Sequence, residues 1–319
     1  MYYIGVDLGG TNIAVGIIDE SGKLLCKKSV PTLAHRGEDA IIEDIAKVAK
    51  EIVSENGYSM EDIKNVGVGS PGSVDSENGV IITACNLKFT DTPLKQKLEK
   101  LLGKDVFVDN DANCAAWGEA MAGVSKGTKS SVMVTLGTGV GGGIIIDGKI
   151  VSGFNFFGGE LGHIIIEASG KMCPCGRQGC WEAYSSATAL INLTKEAIEK
   201  NPDSLMKTIA EENGKVSGRT AFEAARKGDK AAQAVVDEYI KYLTIGIFNV
   251  IMIFQPEVVV VGGGVSNEGD GLFIPLREAV KKLSYRSDTL SDEKKTKVLQ
   301  ASLGNDAGII GAALLGIDK

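Results

Sequence analysis

The sequence predicts an α/β chain built from two similar halves, and three observations carry that reading. Strand-like apolar runs and amphipathic helical runs alternate through the first 110 residues. A strand, a glycine-rich turn, a second strand and another tight turn occur twice. The first copy is Val6-Asp7-Leu8-Gly9-Gly10-Thr11 with Ile17-Ile18-Asp19 and Gly22-Lys23; the second is Thr135-Leu136-Gly137-Thr138-Gly139 with Ile145-Ile146-Asp147 and Gly148-Lys149. Late in the chain a helical block gives way to one apolar strand, Glu257–Val261, ending in Gly262-Gly263-Gly264. The repeat reads as duplicated halves, each offering a glycine turn to one cleft. Chance recurrence of glycine hairpins is the plainer alternative.

The elements follow in order. Tyr2–Val6, Ile13–Ile18 and Leu24–Val30 read as strands, with Ser21-Gly22 as a hairpin turn. Ile41, Ile45, Val48 and Ile52 recur at helical spacing and predict a helix over 39–54, with Asp39 helping to cap its start. Val66–Gly69 and Val106–Asp109 read as further strands, and a helix starts near Asp111. Ser131–Leu136 opens the second half; residues 182–254 are mostly helical in pattern, Lys297–Ser302 is a strand and 306–317 a last helix. No Pro/Ser-rich linker separates domains, so the expected division is 1–109 plus 305–319 against 110–304, with chain crossings at Asn110 and near Asn305.

With 319 residues, 44% apolar and 24% charged, the chain can build its core without disulfides. The net charge of −7 argues against a general nucleic-acid surface, though backbone amides still bind phosphate. The amino-terminal residues are strand-like rather than a basic and apolar leader. The stretch Ile245–Phe254 is too short to span a bilayer and reads as a buried helix. A cytoplasmic, membrane-free protein with reduced thiols is expected.

Three glycine turns stand at strand ends. In Asp7-Leu8-Gly9-Gly10-Thr11-Asn12 the glycines let backbone amides approach phosphate oxygens, Thr11 adds a donor, and Asp7 suits Mg²⁺. Gly137-Thr138-Gly139 is the second such turn, and Gly263-Gly264 suits a flat adenine or ribose. None is a P-loop, and the first leads into a strand rather than a helix, unlike a dinucleotide fingerprint. Ordinary tight turns are the bland reading of any one of them.

The chain has two histidines, and His163 precedes Cys173-Pro174-Cys175-Gly176-Arg177-Gln178-Gly179-Cys180 by ten residues. Three thiols and one imidazole complete a tetrahedral set for a closed, structural Zn²⁺; reactive free thiols are the alternative. Such a metal would gather Glu160 and Glu182, acceptors suited to a polyhydroxylated ligand, unless they are simply solvated. Cys26, Cys85 and Cys114 stand apart in apolar surroundings and read as small buried hydrophobes. After the strand Val106–Asp109 come Asn110, Asp111, Ala112 and Asn113. Asp111 suits a general base accepting a hydroxyl proton, and a helix N-cap is the competing role for this polar cluster.

Together these strings resemble the ROK family (repressors, open reading frames and kinases), and more narrowly its bacterial glucokinases. The most specific is Gly158-Gly159-Glu160-Leu161-Gly162-His163 joined to Cys173, Cys175, Cys180 and Glu182. The resemblance implies an actin-like (ribonuclease-H-like) ATPase fold with two α/β domains around a central cleft. It implies ATP with Mg²⁺ as donor, structural Zn²⁺ on His163, Cys173, Cys175 and Cys180, and glucose as acceptor. It assigns Asp111 as base and Asn86, Asn110, Glu160, His163 and Glu182 to sugar hydroxyls. It makes the three glycine turns nucleotide sites and Gly69-Ser70-Pro71-Gly72 a turn bordering the sugar. A homodimer or homotetramer is also implied. Family glucokinases often carry proline before the residue matching Asn86, where Cys85 stands here. The alternatives are a kinase for fructose, mannose or an N-acetylhexosamine, a sugar-responsive repressor, and an actin-like ATPase without a sugar. The first turn begins at Asp7, which leaves a preceding DNA-binding domain no room in this sequence.

Overall fold

Dense β-branched residues set the strands that lead into the three glycine turns and end at Asn110. The structure, a computed structural model, describes residues 1–283 and 289–317. The expected domain spans also include 284–288 and 318–319, which lie outside the described residues. The first sheet has the order β3-β2-β1-β4-β8, from β1 (Tyr2–Leu8), β2 (Asn12–Asp19), β3 (Leu24–Pro31), β4 (Ile63–Ser70) and β8 (Asp105–Asn110). Strands β1, β2 and β3 form an antiparallel meander, while β1, β4 and β8 are parallel. Parallel neighbours need a crossover, supplied between β3 and β4 by α1 (Glu38–Glu55). Its Ile41, Ile45, Val48 and Ile52 are buried, as their spacing predicts. Asp39 is not its cap: the cap position is Gly37, and Asp39 lies in the first turn, where it accepts from Lys97 Nζ at 2.8 Å.

Between β4 and α2 (Leu94–Leu102) the structure adds a three-stranded antiparallel sheet of β5 (Ser73–Asp75), β6 (Val80–Ala84) and β7 (Phe89–Thr92). The sequence did not announce it, since each strand is three to five residues long and lies among turn residues. Asn86 sits in the turn joining β6 to β7. Helix α3 (Asp111–Met121) follows β8 directly.

The second sheet has the order β11-β10-β9-β12-β13, from β9 (Ser131–Leu136), β10 (Val140–Ile146), β11 (Lys149–Ile150), β12 (Val258–Gly262) and β13 (Lys297–Gln300). The two sheets therefore share one strand order, as a duplicated half requires. The inserted helices are α4 (Glu182–Ser185), α5 (Ala187–Lys200), α6 (Leu205–Glu212), α7 (Thr220–Arg226) and α8 (Lys230–Phe254); α9 (Asp270–Leu283) follows β12. Ile247, Val250 and Ile251 of α8 are buried as expected, but Met252 and Ile253 face outward. The expected last helix is shorter than 306–317, with α10 (Ala307–Ala313) flanked by single 3₁₀ turns.

The chain divides into two compact units. Met1–Met133, Gly143–Gly159 and Ser302–Lys319 form one; Val134–Gly142 and Glu160–Ala301 form the other. In the first, α10 packs tightly on the sheet, because a side chain at Gly67 would stand 1.7 Å from the Ala312 carbonyl oxygen. In the second, fully buried Trp181 donates from Nε1 to the Tyr242 carbonyl (3.1 Å) and anchors the chain just before α4. Among the described residues, no helix is long and apolar enough to cross a membrane.

Candidate active site

The first unit carries the amino-terminal glycine turn and the end of β8. The turn between β1 and β2 closes through Gly9 N–H to Asn12 O (2.9 Å). Buried Thr32 staples it, donating from Oγ1 to Gly9 O (2.6 Å) and from its amide to Thr11 O (2.8 Å). Sequence reasoning missed Thr32; the only signal was its place directly after β3, whose Pro31 pairs with Asn12. Gly10, Thr11 and Asn12 remain exposed. Asn86 comes to this turn, with its Cβ 3.2 Å from where a Gly10 side chain would begin. Burial raises the Asp7 carboxyl above its ordinary value, and Lys27 only partly offsets it. A carboxylate in that state is a fitting acceptor for a divalent cation's hydration shell.

Three polar residues at the β8–α3 junction take three different tasks. Asn110 is the cap: its Oδ1 accepts from the amides of Ala112 (2.9 Å) and Asn113 (3.2 Å), and its Nδ2 donates to Gly72 O (3.0 Å). The Pro71-Gly72 turn is thus tied to the catalytic candidate's neighbour. Asp109 is buried and accepts from Asn113 Nδ2 (2.8 Å). Asp111, the first residue of α3, is exposed and accepts locally from the Ala112 amide (2.8 Å). The choice between cap and base at Asp111 therefore resolves in part: the cap acceptor is Asn110.

The second unit carries the other two glycine turns and the Cys/His cluster. Gly137 N–H donates to Gly139 O (3.0 Å), Ala187 N–H to Gly137 O (2.8 Å) and Thr188 Oγ1 to Thr138 O (2.8 Å). Gly263, at φ 83°, lies against the same strand end, where a Cβ would stand 2.5 Å from Leu136 O; Gly264 next to it is open. The structure thus brings Gly137–Gly139 and Gly263-Gly264 together.

His163, Cys173, Cys175 and Cys180 place one ligand atom each within 4.8 Å of one another. Cys173 Sγ lies 3.8 Å from His163 Nδ1, and Cys175 Sγ lies 3.6 Å from Cys180 Sγ. A tetrahedral metal with metal–sulfur bonds of ~2.3 Å has sulfur–sulfur edges of about 3.8 Å, so four donors of this kind at this spacing fit one closed metal site. Burial pushes the Cys173 thiol up to about 12 and raises Cys180, while the Arg177 backbone amide, helped by its side chain, holds Cys175 down to about 6. The other His163 nitrogen, Nε2, lies 4.0 Å from Glu160 Oε2. Glu182 Oε2 accepts from the Val140 amide (3.0 Å), and its Oε1 lies 3.6 Å from Cys173 Sγ. Glu160, His163 and Glu182 are therefore gathered around the cluster. The three isolated cysteines differ: Cys114 is buried as expected and Cys26 half-buried, but Cys85 is exposed, because it occupies a surface turn rather than a strand.

The ROK family model matches residues 3–319. The chain belongs to the ROK family. A glucokinase of Thermotoga maritima is 40% identical over 97% of this chain and 95% of that protein. The crystal structure of a ROK family glucokinase from Streptomyces griseus in complex with glucose and AMPPNP aligns at TM-score 0.83 and 35% identity, covering 100% of both chains. A ROK hexokinase from Thermus thermophilus aligns at TM-score 0.80 and 34% identity, covering 98% of this chain and 97% of that one. As a ROK protein, the chain has the actin-like ATPase fold expected from its sequence motifs.

Proposed function

We propose that this ROK protein is a glucokinase that transfers the γ-phosphoryl group of ATP to the 6-hydroxyl of glucose. The observation that carries the reading is full-length likeness to glucokinases. Asp111 acts as the general base, taking the proton of the attacking hydroxyl. Its exposed carboxylate, with the cap supplied by its neighbour, supports that role. Asn86, Asn110, Glu160, His163 and Glu182 hold sugar hydroxyls. Asn110 does so with the N–H of Nδ2 that Gly72 does not take. Asp7, Gly9, Gly10, Thr11 and Asn12, with Gly137, Thr138, Gly139, Gly263 and Gly264, receive the nucleotide. Asp7 supports Mg²⁺, which neutralises phosphate charge. His163, Cys173, Cys175 and Cys180 would hold a zinc ion in a purely structural role, since four protein ligands would leave no open position. The protein works in the cytoplasm as a homodimer or homotetramer, the assembly the family resemblance implies.

ADP release with ATP·Mg²⁺ against a panel of hexoses tests the reading. Glucose should be strongly preferred, with the Asp111→Asn variant silent. Preference for mannose, fructose or an N-acetylhexosamine would move the specificity and leave the kinase. No stimulation by any hexose would refute the proposal.

A further inference from the structure

We infer that Glu182, besides holding a sugar hydroxyl, links hexose binding to nucleotide binding, so that each substrate tightens the other through one carboxylate. The inference rests on the glucokinase reading for the identity of the two ligands. All its parts lie within one unit. Glu182 opens α4 two residues after the cluster residue Cys180, and its backbone is fixed by fully buried Trp181, hydrogen-bonded to Tyr242 O at 3.1 Å. The segment that begins at Glu182 then touches every part of the second glycine turn. Ala187 N–H holds Gly137 O (2.8 Å), Thr188 Oγ1 holds Thr138 O (2.8 Å), and Glu182 Oε2 takes the Val140 amide (3.0 Å). A Cβ at residue 139 would stand 2.2 Å from Glu182 Oε2, so glycine stands there because the carboxylate already fills the space.

The two oxygens are therefore unequal. Oε2 is committed to the glycine turn. Oε1 has only a long, 3.6 Å contact with Cys173 Sγ, weaker than a hydroxyl donor at ordinary distance would provide. A sugar hydroxyl donating to Oε1 fixes the carboxylate plane, which holds Oε2 on Val140 N–H and orders the turn that receives phosphate. Ordering paid for by the first ligand is not charged to the second, and linkage makes the effect reciprocal.

Calorimetric titration of the full chain tests this. Glucose is titrated into protein alone and into protein saturated with AMPPNP·Mg²⁺, and the ratio of the two dissociation constants is the coupling factor. The wild type should give a factor within about 5–150, the usual range for coupled sites. Gly139→Ala pushes the carboxylate off the turn without removing it, and Glu182→Asp keeps the charge but shortens the reach. Each should bind glucose and nucleotide more weakly than the wild type, since both residues belong to the proposed binding sites, and should also bring the factor close to one. A merely structural role would weaken affinity or stability and leave the factor unchanged. A wild-type factor of one, or variants that keep the wild-type factor within twofold, would overturn the inference while leaving the kinase standing. If Gly139→Ala does not fold, Glu182→Asp decides. Nucleotide binding without binding of any hexose would overturn the glucokinase reading and this inference with it.

Discussion

Asn110 and Asp111 are adjacent residues with separable tasks, and exchanging them one at a time distinguishes catalysis from capping. Asp111→Asn removes the proposed proton acceptor and leaves the cap. General base catalysis is worth roughly 10²–10⁴-fold, or about 2.7–5.4 kcal/mol of barrier at 1.36 kcal/mol per decade. The stability cost should stay below about 1 kcal/mol, the value of a lost negative charge in a first helical turn. Asn110→Ala reverses the pattern. It strips the acceptor from the Ala112 and Asn113 amides and the donor from Gly72 O. Losing a cap costs about 0.5–2 kcal/mol and a hydrogen bond about 0.5–1.5 kcal/mol, so the variant should lose roughly 1–3.5 kcal/mol. Coupled ADP release at saturating glucose and ATP reads kcat, and urea unfolding followed by circular dichroism reads stability. An Asp111→Asn enzyme within tenfold of wild-type kcat would refute the base assignment. An Asp111→Asn protein destabilised as much as Asn110→Ala would refute the division of labour.

Three further outcomes are expected. Glu119 is fully buried and accepts from the amides of Val124, Ser302 and Leu303 (each 2.8 Å) and from Ser302 Oγ (2.9 Å). Glu119→Ala leaves those donors orphaned and should cost about 3–5 kcal/mol by chemical denaturation, and a cost under about 1 kcal/mol would contradict that role. Asp7 has its pKa raised above 3.8 chiefly by burial, so its favourable contribution is present below 3.8 and is lost as pH rises through the folded value. Asp7→Asn should therefore raise the ligand-free thermal midpoint at neutral pH, give no gain at pH below 3.8, and weaken ATP·Mg²⁺ binding; a lowered midpoint at neutral pH would show the sign to be wrong. The purified protein should contain close to one zinc per chain by elemental analysis. Cys175→Ser should lose it along with glucose affinity, whereas full glucose affinity without metal would sink the structural role of zinc.

The sheets were legible because their signal is local. Val258–Val261 is an unbroken apolar run, and buried parallel strands take that form. The glycine turns stood out for the same reason, as departures from such runs at strand ends. What stayed hidden depends on partners far away in sequence. Glu119 reads as one more surface glutamate of a helix, and its burial is decided by Ser302 and Leu303, more than 180 residues later. The space beside Gly139 is filled by the Glu182 carboxylate, which no local pattern places there. Cys85 misled because apolar neighbours in sequence are not apolar neighbours in space when the chain turns outward. The β5–β7 sheet was invisible because strands of three to five residues do not establish a period.

The donor cluster gains its meaning from what its surroundings lack. From Glu160 to Trp181 the chain has one 3₁₀ turn, Leu161–His163, and two isolated bridges, Ile165 with Cys180 and Met172 with Gln178. Such a segment has turn and bridge hydrogen bonds but no continuous ladder or helix to set against the entropy of holding one conformation, about 1–2 kcal/mol per residue. Yet Glu160, His163 and Glu182 must be held accurately if they are to read the hydroxyls of one sugar. The proposed zinc supplies what secondary structure does not, since a structural site contributes binding free energy of about 10–16 kcal/mol to the folded state. It does so with donors interleaved among the sugar candidates: His163 stands three residues after Glu160, and Cys180 two before Glu182. With His163 turning Nδ1 to the cluster and Nε2 towards Glu160, one imidazole would serve the proposed metal and the proposed ligand face at once. Metal occupancy and hexose affinity should therefore fall together.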